Sequence, residues 1–243
     1  MPKLQTVFAC TTLLWGVCAA SPLLVTLNTE DSPPFNMLVD GKIVGIAADK
    51  VRLMMEKTGI RYQIDLLPWR RAYEMALTQK LTCVFATTRT KEREPLFKWI
   101  GPLASTDWVL YGKAERKISL RSLEDARAYV IGTYNGDIRD NYFRSKGYRV
   151  DTAPDDNLNP GKLMAGRIDL WASGRYEGAQ LLARRGLAGD IMPLLSFNHA
   201  DLYLACNLEA PDSLIRQMEN ALNTLIQDGT SARIDRLYDH RSP

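Results

Sequence analysis

The sequence predicts an α/β protein made of two successive halves, each a sheet with helical crossovers. Three observations carry that expectation. Short apolar runs of strand character alternate with segments of helical apolar spacing along most of the chain. A length of 243 residues leaves room for two modest lobes, each with its own core. The composition is 46% hydrophobic, 24% charged and 9% aromatic, with 16 Gly and 12 Pro. It excludes a disordered, collagenous or small disulfide-stapled chain.

The formal charge of +3 arises from 31 basic and 28 acidic residues interspersed along the chain. No basic stripe results, so nucleic acid is not an expected partner. Residues 1–20 carry Lys3, an apolar stretch over 4–17 and the small residues Cys18-Ala19-Ala20. Charge, apolar core and small-residue cleavage site are the parts of a secretory signal, which implies export. The stretch is shorter than the about 20 residues that span a bilayer, and nothing later is apolar enough. Lipid attachment through Cys18 would want a small residue before it, where Val17 stands. Cys10 and Cys18 leave with the signal, so Cys83 and Cys206 remain in an oxidising compartment, as a disulfide or as two buried thiols.

Residues 23–27 form a first apolar strand that breaks at Asn28-Thr29-Glu30-Asp31-Ser32-Pro33-Pro34. After the Asp40-Gly41 hairpin signal, Ile46, Val51, Met54 and Met55 supply a helical face ending at Thr58-Gly59. Strand 62–67 leads to Pro68-Trp69-Arg70-Arg71, which opens a helix through Ala72, Met75 and Ala76, and 83–86 is a third strand. This order implies a parallel sheet with helical crossovers. The methionines read as core packing. Strand 108–111 and the capped segment Ser122-Leu123-Glu124-Asp125 begin a second set. Strand 129–133, a helix to Lys146-Gly147, strand 150–153, a helix around 158–165, strand 168–172 and helix 175–185 complete it. A strand at 202–205, a long helix from Asp212-Ser213 carrying Leu214, Met218, Leu222 and Leu225, and a last helix after Asp228-Gly229 close the chain. Ligands of open α/β sheets bind beyond the carboxyl ends of strands, which directs attention to residues 29–35, 67–70, 87–93, 134–137 and 172–176.

Several of these segments together resemble the polar amino-acid type of periplasmic solute-binding protein, the family 3 extracellular binding proteins that serve ABC transporters. The resemblance rests on Thr29-Glu30-Asp31-Ser32-Pro33-Pro34-Phe35, Gly45 opening a helix, Thr90-Lys91-Glu92-Arg93, Gly-Arg-Ile-Asp at 166–169, and Gln227-Asp228-Gly229-Thr230 with Ile234 and Tyr238. It implies a periplasmic binding protein-like type II fold, two α/β lobes joined by two hinge strands. On that pattern residues 1–20 are the signal peptide, 22–109 and 204–243 form lobe one, and 110–203 form lobe two. The hinges fall near 109–112 and 201–204, and the C-terminal helices return to the first lobe. The resemblance also sets the strand beginning near Tyr203 antiparallel to the strand holding Cys83, which makes a Cys83–Cys206 disulfide stereochemically credible.

Site residues follow from the same resemblance. Arg93 ends the Thr-x-x-Arg run whose arginine forks onto a ligand carboxylate, a geometry lysine does not offer. The competing role is a surface pairing with Glu92 or Glu94. Thr88 and Arg89 lie on the same loop, where Arg89 would add a second positive group. Asp31 and Ser32 lie where the family's first loop touches ligand, while Trp69 and Phe35 could stack on the ligand or join the core. Tyr134, Asn135, Gly136 and Asp137 join a strand to a helix, where free amides favour anions, but the Asp137 carboxylate would cap those amides itself. Five residues after the Asp of the Gly-x-x-Asp run, where amino-acid binders place an acid for the ammonium group, stands Gly174, followed by Arg175. A standard α-amino acid is therefore in doubt, and Asp137, Glu30 or Asp31 become the groups to receive a cation.

The expected activity is capture of a small polar or charged, amino-acid-like and carboxylate-bearing metabolite by a monomer in the periplasm, for an ABC permease or a sensor. No cofactor or metal is expected, since the only histidines are His199 and His240 and no phosphate loop, dinucleotide fingerprint or nucleophile elbow occurs. The alternative is an enzyme resembling the cyclohexadienyl dehydratases, with Glu177, eight residues after Asp169, protonating a leaving hydroxyl. Glu177 otherwise reads as an exposed or arginine-paired helix residue. A protein-binding accessory module is a third class, favoured if side chains fill the cleft.

Overall fold

A computed structural model describes residues 23–239. The secretory-signal segment, with Cys10 and Cys18, lies outside them. The first lobe begins with β1 (Leu24–Thr29), a hairpin of β2 (Met37–Val39) and β3 (Lys42–Val44), and α1 (Ile46–Thr58). It continues through β4 (Arg61–Leu66), α2 (Trp69–Thr78) and β5 (Thr82–Thr88). Strand β1 lies between β4 and β5, parallel to both, as the strand–helix–strand order requires. Gly45 opens α1 at φ +135°, and a Cβ there would sit 2.3 Å from the Phe35 carbonyl oxygen. Only glycine lets the Pro34-Phe35 carbonyls accept the first amides of α1, Ile46 at 3.0 Å and Ala47 at 3.1 Å. That clasp fixes the loop that follows β1.

The second lobe contains β7 (Val130–Tyr134), α3 (Ile138–Ser145), β8 (Arg149–Ala153), α4 (Asn159–Met164), β9 (Leu170–Gly174) and α5 (Arg175–Arg184). Its parallel strands run in the order β9-β7-β8. A capping box at Ser122 and Asp125 starts a short 3-10 segment, Leu123–Ala128, ahead of β7.

Two sixteen-residue strands, β6 (Lys98–Lys113) and β10 (Ile191–Cys206), pair antiparallel over almost their whole length and belong to both lobes. Beyond their mutual pairing, β10 meets β5 from Leu202 to Cys206, and β6 meets β9 from Trp108 to Tyr111. Residues 105–107 and 199–201 pair only with each other. The continuous sheet therefore has the order β4-β1-β5-β10-β6-β9-β7-β8 and is mixed rather than parallel. Only the apolar pieces, 108–111 and 202–205, carry a strand signal in the sequence, because Ser105, Thr106, Asp107, Asn198, His199 and Asp201 interrupt the apolar pattern where the strands leave one core for the other.

Helices α6 (Asp212–Gln227) and α7 (Thr230–Asp239) return to the first lobe. Leu214, Met218, Leu222 and Leu225 share a core with Met54, Met55, Leu27 and Phe85. Met54 and Met55 are fully buried, as expected of core methionines. Met75 is half-buried, its sulfur 3.9 Å from the Asn28 amide nitrogen. The second lobe has its own cores around Trp171 and Phe143.

Cys206 stands directly opposite Cys83 in the β10–β5 register, and the two form a disulfide across 123 residues of sequence. The chain-entropy model assigns a loop of that size about 5 kcal/mol of stabilisation. Urea unfolding of the oxidised protein and of the doubly substituted Cys83→Ser, Cys206→Ser variant should show a loss of up to that amount; equal midpoints would mean that the bridge contributes nothing.

Candidate functional site

The carboxyl ends of β1, β4, β7, β8 and β9 converge between the lobes, where the chain turns from strand to helix. They enclose a cavity of about 320 Å³ with Glu30, Ser32, Trp69, Tyr134, Asp156 and Glu177 in its wall. A narrower chamber of about 50 Å³ continues inward to Phe35, Thr88, Arg93, Thr106 and Asp137. Beyond Trp69 and Arg93 lies a wider opening of about 1280 Å³, lined by Arg89, Lys91, Trp108 and Tyr142 among others.

Side chains of one lobe bond to the other across this space. Trp69, placed at the start of α2 by Pro68, donates its indole N–H to the Gly136 carbonyl at 2.9 Å. Arg93 is buried, 6% exposed, and donates Nη2 to the same carbonyl at 3.4 Å and Nη1 to the Thr88 carbonyl at 3.3 Å. Its guanidinium lies 4.9 Å from the Tyr73 ring and 5.7 Å from the Trp69 ring. Burial pushes its pKa down, opposed by the charges around it. Tyr134 donates its hydroxyl to Glu30 Oε1 at 2.9 Å, Arg184 pairs with Asp31 at 3.5 Å, and Phe35 meets Tyr176 edge to face at 6.3 Å.

Asp137 does cap the helix that follows it, accepting the Arg139 amide at 3.0 Å, and both its oxygens take the Arg139 Nε, at 2.8 and 3.0 Å. A negative cap thus closes the amide site at which an anion would bind. Burial works against the Arg139 charge, but the nearby Asp137, Tyr134, Asp156 and Glu177 outweigh it and raise the pKa. Asp156 accepts from Trp171 Nε1 and Asn159 Nδ2, each at 2.8 Å, and from Ser173 Oγ at 3.2 Å. Glu177 accepts from Thr106 Oγ1 at 3.0 Å. Burial raises the pKa of both carboxyls; Arg139 opposes this, and the Asp156 charge adds to the rise at Glu177. Burial likewise pushes Glu30 up to about 8, against the Tyr134 hydrogen bond and with the Asp137 and Asp156 charges.

Of the residues singled out in the sequence, Asp31, Ser32, Phe35, Trp69, Thr88, Arg93, Tyr134, Asn135 and Asp137 line the cavity or its inner chamber. Gly136 supplies the carbonyl that joins the lobes. Two lie elsewhere. Arg89 donates Nε and Nη2 to the two Glu94 oxygens, each at 2.6 Å, and packs over Trp99 and Tyr203 outside the cavity. Arg175 is exposed and reaches Asp107 at 3.2 Å.

Glu177 is in the cleft, not on the surface. Its carboxylate fills the volume of the missing side chain at Gly174, where an added Cβ would lie 1.9 Å from Oε2. An acid absent at 174 is thus supplied from the first turn of α5. Arg139, Asp156 and Arg184 also line the cavity and are not among the residues that the sequence singles out. The rule about strand ends would have found Asp156, which follows the recognised strand 150–153, whereas Arg139 and Arg184 carry no signal beyond their charge.

The sequence matches the bacterial extracellular solute-binding proteins, family 3, over residues 24–239. A comparison with curated proteins finds no significant sequence match. Among solved structures, a histidine kinase sensor domain with similarity to periplasmic binding proteins superposes with a TM-score of 0.83 at 16% identity, covering 89% of this chain and 96% of that one. An ancestral arginine-binding protein bound to arginine gives 0.78 at 20% identity, over 88% and 97%. The arginine-, lysine-, histidine-binding protein ArtJ from Geobacillus stearothermophilus gives 0.78 at 16%, over 90% and 96%. At these identities the likeness is one of fold.

Glu30 makes stability depend on pH. Its folded pKa, about 8, lies above the ordinary 4.5, so below pH 4.5 its contribution is fully present and it is lost as pH rises through 8. The groups facing it are Tyr134, Asp137, Asp156 and Arg139. Melting temperatures from pH 5 to 9 should fall less steeply in Glu30→Gln than in the parent; parallel curves would place the titration elsewhere.

Proposed function

The chain belongs to the bacterial extracellular solute-binding proteins, family 3, and from that premise we propose that it is exported to the periplasm and captures a small charged solute between its lobes. Lobe one comprises 22–109 and 204–243, and lobe two 110–203. Bending occurs at 105–107 and 199–201, where the crossover strands have no other strand partner, beside the 109–112 and 201–204 expected from the family pattern. The observation that carries this reading is the cavity whose wall is drawn from both lobes, Glu30, Ser32 and Trp69 from one and Tyr134, Asp156 and Glu177 from the other. Such contacts coexist only when the lobes are together, so ligand shifts the population toward closure by its differential affinity. A monomer handing its solute to an ABC permease or reporting it to a sensor accords with the family. The structural likeness to a histidine kinase sensor domain accords with the second role.

A second reading has one observation in its favour. Glu177 is a cleft carboxyl whose pKa burial raises, the condition for a general acid at neutral pH. Dehydratase chemistry on this scaffold would use it to protonate a leaving hydroxyl.

A thermal-shift screen of amino acids, amines and organic acids on the mature protein separates the readings. A cognate solute at about 100 times its dissociation constant stabilises the fold by about 2.7 kcal/mol, and X-ray scattering should report a more compact particle. Prephenate and arogenate should be left unchanged. Turnover of either, lost in Glu177→Gln, would replace capture with catalysis, and a screen without any hit would remove solute binding.

A further inference from the structure

The cavity wall has an imbalance of charge that bears on the solute. Each cation in it is already engaged by a carboxylate: Arg70 by Glu74 at 2.9 Å, Arg139 by Asp137 at 2.8 Å, and Arg184 by Asp31 at 3.5 Å. Glu30, Asp155, Asp156 and Glu177 also line it, and none of them has an ion-pair partner among the described residues. Arg93, the expected carboxylate fork, opens on the narrow inner chamber, and its two bonded nitrogens are spent on main-chain carbonyls. A carboxylate entering the larger cavity would meet four carboxyls without an ion-pair partner and three guanidiniums that each already face a carboxylate, an arrangement that selects against it.

Apolar side chains share the wall with the acids. Leu66, Leu67, Pro68, Leu181 and the Trp69 indole line it, a surface suited to methylenes. Among the described residues no three acidic, cysteine or histidine side chains group as metal ligands do. The acids are instead spaced around a volume large enough for an organic molecule.

We propose that the solute is an organic dication, two amine or guanidine groups on a short methylene chain, and that no carboxylate is required for its binding. Glu30 and Glu177, which border both the inner chamber and the larger cavity, receive one cationic group, and Asp156 with Asp155 the other. Trp69 and Leu181 cover the chain between them. The Gly174–Glu177 substitution of space serves this arrangement, because it brings an acid into the wall while keeping its side chain anchored to Thr106. This inference rests on the solute-binding reading above.

Agmatine and arginine differ by the carboxylate alone, as do 1,5-diaminopentane and lysine. Isothermal titration of the mature protein at pH 8 should find each amine bound at least as tightly as its amino acid. Glu177→Gln, a near-isosteric change, should weaken the amine at least tenfold without moving the ligand-free melting temperature by more than a degree or two. An amino acid bound tenfold tighter than its decarboxylated partner would overturn the inference, as would an anionic solute that binds where the amines do not. In both cases solute binding itself would stand. Silence from every compound of the wider screen would instead remove the solute-binding reading, and this inference with it.

Discussion

Everything in this molecule hangs on the antiparallel pairing of β6 with β10. Each strand starts in one hydrophobic core and ends in the other, so a sixteen-residue ladder, shifted in register at three places along β10, passes through a polar middle. Ladder hydrogen bonds satisfy the backbone there without a core on either side. This allows two lobes to face each other with a gap between them, and it leaves 105–107 and 199–201 paired only with each other. The disulfide lies where β10 rejoins β5, so it fastens the returning strand to the first lobe and not to the part that would bend.

Across that gap the dominant force is electrostatic. Asp137 and Arg139 form a buried pair in which both carboxylate oxygens accept from Nε, and with the Arg139 amide on the same carboxylate it closes the amide site at the head of α3. Glu30, Asp156 and Glu177 are shaped by burial and by neighbouring acidic charge, which raise their pKa values, and by neutral donors, the Tyr134 hydroxyl, Trp171 and Thr106. Carboxylates held this way are costly to ionise and gain most from an incoming cation. The tryptophan and arginine that meet the Gly136 carbonyl work differently: they tie lobe to lobe through a backbone group, so their geometry reports how close the jaws stand.

Much of the cleft was legible because strand ends are recognisable. The Pro33-Pro34 break after β1, the Pro68-Trp69 helix start and the Tyr134–Asp137 turn all carry local signals, and each borders the cavity. Arg89 and Arg175 carried the right chemistry at the right kind of place, yet Glu94 and Asp107 claim them: Glu94 was one of several nearby charges with no pattern to single it out, and Asp107 lies in another strand. Glu177 illustrates the opposite case. Helix periodicity reads it as a surface residue, and only the void at Gly174 turns its carboxylate inward.

By itself the sequence determined the α/β class, the helix boundaries set by glycine and capping residues, the amphipathic faces of α1 and α6, and the loops that line the cleft, because these depend on interactions within a few residues. Tertiary structure alone decided that two polar-centred strands run on through both lobes, that Cys83 faces Cys206, and which charges end up paired. Those outcomes depend on register and on distances between segments a hundred residues apart, where the competition between solvent, burial and a neighbouring countercharge is settled only once both lobes are folded.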